Sequence, residues 1–267
     1  MVLGVAAALA PAAQLVVDEL QWQGRGLGSF SGKLAAHGAS LETAELDLSS
    51  THAQAHGGAQ CLETDCRLNF TFDTDDPAAT LVAFGWAAEL SARETHLGGE
   101  LRWPRRALPS LATLGGSLHM QLEDGVMGSG GETGAEPFPL LSVPALLSGL
   151  ASGPPHPSAP GLRFERFSAD YELHAGEALT SDLHFDGDAE ILVQGRVGLL
   201  SGDYDERAWI LRGEDRLPAA VRRLGAGPGV AALWLSLRDL FGSEVAERSR
   251  AALRLQGSWS DPIVTPE

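Results

Sequence analysis

Lysine is nearly missing: of 19 basic residues only Lys33 is a lysine, and 35 acidic residues set the formal net charge at −16. That balance excludes a nucleic-acid partner, which needs a basic track. It also leaves no positive face for docking on anionic lipid, so any lipid contact would have to be apolar. Tyrosine occurs twice, too rarely for the aromatic girdles of an outer-membrane barrel. Long hydrophobic runs are lacking as well. Residues 1–17 are uncharged and rich in Ala, Val and Leu, but they have no basic leader and Pro11 interrupts them. They read either as a signal or anchor or as a loop leading into the first strand. No nucleophile elbow, P-loop, zinc-protease motif or dinucleotide fingerprint occurs. No catalytic residue emerges, nor any cofactor or metal site, and the chain reads as a non-enzyme.

What the chain does have is alternation. Phe167, Ala169, Tyr171 and Leu173 alternate with polar residues, as do Leu183 with Phe185, and Ile191 with Val193 and Val197. The same period of two runs through Leu68–Phe72, Leu97–Trp103, Leu114–Leu122 and Ala251–Trp259. Period two with one polar face marks half-buried antiparallel strands. Strands are also expected at Leu15–Gln23, Leu27–Ala36, Ala44–Leu48 and Tyr204–Arg212. Asp75-Asp76-Pro77 reads as a helix start, with Gly85 as its stop. An apolar fraction of 44% suffices for a core, and 32 glycines with 15 prolines suit many turns. About a dozen one-sided strands and few helices imply a mainly-β protein, a curled antiparallel sheet with a few edge helices.

The chain divides by composition. Residues 1–127 are a first β segment and 162–267 a second. Between them, 128–161 is rich in Gly and Pro and holds one apolar piece, Leu140–Leu150, expected to be helical after Pro144. Two further helical patterns fall around Leu217–Leu224 and Gly229–Phe241. The second carries a stripe of Val230, Leu233, Trp234 and Leu237. It reads either as core packing over the end of the sheet or as a helix touching a membrane or partner. Leu253, Leu255 and Trp259 of the last strand would complete this cap, and Gly225, Gly227 and Gly229 would make it a gate.

The phrase from Phe164 to Ile210 (FERFSADYELHAGEALTSDLHFDGDAEILVQGRVGLLSGDYDERAWI), the apolar helix after it and RLQGSWSDPIV at Arg254–Val264 resemble the C-terminal end of the YhdP-like proteins. LVVDELQWQGRGLGSFSG at Leu15–Gly32 and ELRWPRR at Glu100–Arg106 are similar to that family too. These are AsmA-like envelope proteins of Gram-negative bacteria. The resemblance implies a periplasmic protein whose inner-membrane anchor lies upstream of this chain. It implies a folded-over β-taco sheet whose greasy groove moves phospholipid between the membranes, with contact to the outer membrane or to envelope proteins. On that reading the apolar strand faces line the groove, through Phe70, Phe72, Leu101, Leu118, Met120, Ile191 and Val193. The competing reading is a closed β-sandwich that binds carbohydrate or protein. In an oxidising periplasm Cys61 and Cys66 would form a disulfide across a tight hairpin. Free thiols, or a metal held with His52 and His56, are the alternatives.

Overall fold

A computed structural model describes residues 13–22, 24–37, 40–87, 90–128, 138–150, 162–211 and 251–266. Within them thirteen strands form one sheet, and each pairs antiparallel with the next in chain order. They are β1 (Ala13–Trp22), β2 (Arg25–His37), β3 (Ser40–Ser49), β4 (Ala53–Cys61), β5 (Asp65–Thr74), β6 (Leu90–Pro104) and β7 (Gly115–Met127). The second half of the sheet has β8 (Leu162–His174), β9 (Glu177–Gly187), β10 (Glu190–Gly198), β11 (Asp203–Leu211), β12 (Ala251–Ser258) and β13 (Asp261–Pro266). Two helices interrupt the meander, α1 (Pro77–Phe84) after β5 and α2 (Ser142–Leu150) after β7. The sheet is open, not a barrel and not two packed sheets: β1 and β13 are its edges. It also runs unbroken past the Gly/Pro-rich segment, because β7 pairs directly with β8 from Gly115–His174 to Met127–Leu162.

Local chemistry sets α1. The Asp76 side chain accepts from the Ala79 N–H at 2.9 Å, and Pro77 takes the first helical position, where its missing N–H is harmless. Gly85 ends the helix at φ 99°, and the Trp86 N–H returns to the Leu81 carbonyl at 3.0 Å.

Two strands went unseen in the alternation. β4 has only small apolar residues, Ala53, Ala55, Gly57 and Ala59, so its period is there but carries no bulk. β13 begins at the Asp261-Pro262 pair, where the sequence reads only a turn; proline is tolerated there because β13 is an edge strand. β6 starts at Leu90 and not near Leu97. In both β6 and β7 the buried positions change parity between the paired residues Ala92–Gly125 and Glu94–Glu123, and Asp124 adopts φ 49° there. Arg93 bridges this level, donating to Asp124 at 2.9 Å and Glu123 at 3.2 Å. Such a face change breaks the strict period that sequence reading relies on.

The sheet curls. β6 and β12 are six strands apart, roughly 29 Å if the sheet were flat. Yet Trp86, just ahead of β6, meets Trp259, just after β12, with ring centroids 6.4 Å apart. Phe138 packs edge-on against the same Trp86 ring at 5.7 Å. The core lies inside this curl, with Phe167, Tyr171, Phe185, Leu122, Leu146 and Leu255 among its largest buried side chains.

Candidate functional site

The register gathers the alternating residues onto one apolar face. Phe70 of β5 stands between Gly57 of β4 and Gly99 of β6, and Gly99 is followed by Leu118 of β7. One step along the strands, Phe72 is level with Leu97 and Met120, and on the other side Leu68 is level with Leu101. The glycines beside Phe70 leave no alternative. A Cβ on Gly99 would lie 2.2 Å from the Ser117 carbonyl oxygen, and one on Gly57 2.8 Å from that of Asn69. Small residues next to large ones leave hollows in this part of the face. One of about 180 Å³ lies beneath α1, bordered by Leu27, Leu48, Phe72, Ala79, Ala83 and Phe84.

The residues expected to line a groove are therefore on one face but in two settings. Phe70, Phe72, Leu101 and Leu118 are half-buried. Met120, at 5% exposure, and Ile191 and Val193, at 1%, sit in the filled core with Leu140, Leu141, Val143 and Leu146. Leu140, Leu141 and the first turns of α2 fill the second half of the face, and α2 packs on β12 and β13. The buried Tyr171 hydroxyl donates to the Leu140 carbonyl at 2.6 Å and pins this segment to β8. Burial pushes the Tyr171 phenol well above its ordinary value.

Of the residues assigned to the cap, Leu253 and Leu255 are buried, and Trp259 packs half-buried against the core. Val230, Leu233, Trp234 and Leu237 lie outside the described residues, as do the glycines before them and both helical patterns at 217–241. Cys61 and Cys66 face each other across the β4–β5 hairpin and are joined as a disulfide. His52 and His56 do not converge on them. His56 points to the polar face, with its Nδ1 2.7 Å from the Asp47 carboxylate oxygen, and His52 is 3.3 Å from Asp75. Among the described residues no group of three or more possible metal ligands forms.

The polar face repeats this pairing. His96 meets Asp73 at 2.6 Å and His184 meets Glu190 at 3.3 Å, each pair between neighbouring strands. His119 and Asp170 are likewise paired across β7 and β8. These pairs are substantially exposed and arranged as cross-strand neighbours, not as a catalytic constellation.

Sequence reading overlooked Glu206. It is 2% exposed on the apolar face, between Tyr204 and Ala208, and burial pushes its carboxyl up to about 8. The alternation of Tyr204, Ala208 and Ile210 already placed it there, but a glutamate in a strand reads by default as solvated.

The model of the YhdP protein family matches residues 6–264. The chain belongs to the YhdP family. No curated protein and no solved structure matches it. YhdP proteins are AsmA-like proteins of the cell envelope, and membership is consistent with non-enzymatic lipid transport. No helix among the described residues is long and apolar enough to cross a membrane.

Proposed function

We propose that this YhdP-family chain forms the distal part of a periplasmic conduit that carries phospholipid between the inner and outer membranes, with the acyl chains on the apolar face of the sheet. One observation carries the reading: among the described residues thirteen strands form a single open sheet whose buried apolar side chains share one face. In β5–β7 that face is only half covered, at Phe70, Phe72, Leu101 and Leu118.

The mechanism is physical. Each methylene removed from water is worth about 0.8 kcal/mol, so a long apolar track holds a chain firmly in total. A shift of one methylene along the track exchanges one apolar contact for another of similar worth. The chain can then slide without a deep trap at any residue. The acidic polar face keeps the outside of the sheet hydrated and offers no competing site for an anionic headgroup.

Native mass spectrometry of protein exported to the periplasm tests this. Phospholipid is expected to co-purify with the wild-type chain. Leu118→Asp, on the apolar face, should strip it; Gln121→Asp, on the opposite face, should retain it. Equal retention in the two variants, with both folded by circular dichroism, would make the face an ordinary core.

A further inference from the structure

Glu206 does not suit its surroundings. On the strands beside it, Gly195 of β10 and Leu255 of β12 are its direct cross-strand partners. Val193, Val197 and Leu253 continue the same buried face around it. β8 contributes the Tyr171 phenol, already engaged with Leu140, and β11 contributes Tyr204. α2 contributes Ser142, fully buried, and has no acidic or basic residue in its sequence SVPALLSGL. Among the described residues no cation faces the carboxylate. The Ser142 hydroxyl is the polar group that comes near it, yet neither Glu206 oxygen nor the Ser142 oxygen completes a hydrogen bond of ordinary geometry. Two adjoining buried polar side chains, one on the sheet and one on the helix, are thus sealed together with their hydrogen-bonding capacity unmet.

We propose that α2 is a releasable plug of the second half of the apolar face, and that Glu206 is its latch, holding α2 seated while protonated and releasing it when ionised. The contact that excludes water from Glu206 on the helix side is α2 itself, so ionisation and seating compete for the same space. In sequence, α2 lies in a stretch rich in glycine and proline. Five glycines fall between 125 and 134, and seven prolines between 137 and 160. With α2 unseated, the faces of β8–β12 would join the half-open lining of β5–β7 in one apolar track. A hydrocarbon chain could then lie where the side chains of Leu140, Val143 and Leu146 now lie. That last step rests on the lipid reading given above; the latch does not.

The direction of the pH effect follows from where the proton is held more tightly. Burial raises the Glu206 carboxyl to about 8 with α2 seated, whereas a hydrated glutamate titrates near 4.3. The seated form therefore binds the proton more tightly. Seating is strongest below the hydrated value and weakens about tenfold per pH unit as pH rises toward 8, then levels off.

A unique thiol on the buried side of the plug reads this out. Val143→Cys, at a fully buried position, would be alkylated in the full chain from pH 5 to 8 with and without Glu206→Gln, the native disulfide leaving no other thiol. Dividing the two rates cancels the intrinsic pH dependence of the thiol. The ratio of the V143C rate to the V143C/E206Q rate should climb about tenfold per pH unit. An Ala53→Cys reporter, buried in the first half of the sheet, should label far more slowly than V143C at every pH, because release of α2 does not expose it. A flat ratio at V143C would overturn the latch, and so would equal labelling rates at the two reporters, which would mean that V143C is reached only by global unfolding. Adding dodecyl maltoside below its micellar concentration then addresses the hydrocarbon step separately. Faster V143C labelling is expected if an uncharged chain displaces α2. No acceleration, with the pH ratio intact, would sink the acyl-chain reading and leave the latch standing.

Discussion

The two ends of the apolar face are built from strands with the same alternation and yet behave as different materials. In β5–β7, Phe70 lies between two glycines and Leu118 follows, all half-buried, with a hollow beneath α1. In β8–β12, Phe167, Phe185, Ile191 and Leu255 are sealed to 1% exposure or less under Leu140, Leu141 and α2. The strands do not account for the difference. What covers them does: a short apolar helix delivered from between β7 and β8 fills one half, whereas α1 touches only the rim of the other through β2 and β6. A face that alternates is obliged to find cover, but the pattern alone does not say whether that cover is protein or ligand.

The strongest way to break this comparison is to put one charge into each half. Ile191→Asp buries an uncompensated carboxyl in a filled core and should lower stability by about 4 kcal/mol or prevent folding. Phe70→Asp should cost roughly 1–2 kcal/mol, because the half-open position lets water reach the group, while abolishing lipid retention. Urea denaturation of both variants checks it. Equal losses would mean that the two halves are equally closed.

Glu206 sharpens the contrast through pH. Its folded-state carboxyl is raised to about 8, so the folded protein holds a proton that the unfolded chain releases. The stability it lends is fully present below about pH 4 and is lost as pH rises to about 8, at about 1.4 kcal/mol per unit across that window. Glu206→Gln should remove this slope and make the protein more stable than wild type at pH 8. A urea midpoint that falls equally in both proteins between pH 5 and 8 would contradict it.

A smaller effect belongs to the first half alone. Cys66→Ser opens the disulfide across the β4–β5 hairpin, whose short loop limits the expected loss to about 2 kcal/mol. A thermal melt with and without reductant should show the same loss in wild type and none in the variant. Smallest of all is the polar face. His96→Gln in the first half and His184→Gln in the second remove exposed pairs with Asp73 and Glu190, and each should change stability by less than about 1 kcal/mol. A larger loss would give that face a structural role the exposure of the pair does not suggest.

By itself the sequence determined the material of the fold. Period-two runs such as Leu68–Phe72 and Ile191–Val197 can bury one face only as strands, and Asp76-Pro77 with Gly85 can bound only a short helix, because these signals act over a few residues. The consecutive pairing of strands follows from the connections where these are short; β7 with β8 and β11 with β12 pair across the long segments 128–161 and 212–250, which the alternation does not foretell. Where local signal was weak or broken, the sequence was silent: β4 lacks bulk, β13 hides behind a turn signal, and a change of face at Arg93 and Asp124 interrupts the period. Tertiary structure alone decided which stretches of the apolar face are filled. Met120, Ile191 and Val193 have the same alternation as Phe70 and Leu118, and among the described residues it is the return of Leu140, Leu141 and α2 onto the sheet that separates them. The same return turned Glu206 from a strand glutamate into a sealed one. Burial is a property of what arrives from elsewhere in the chain, and the residues around a position cannot encode it alone.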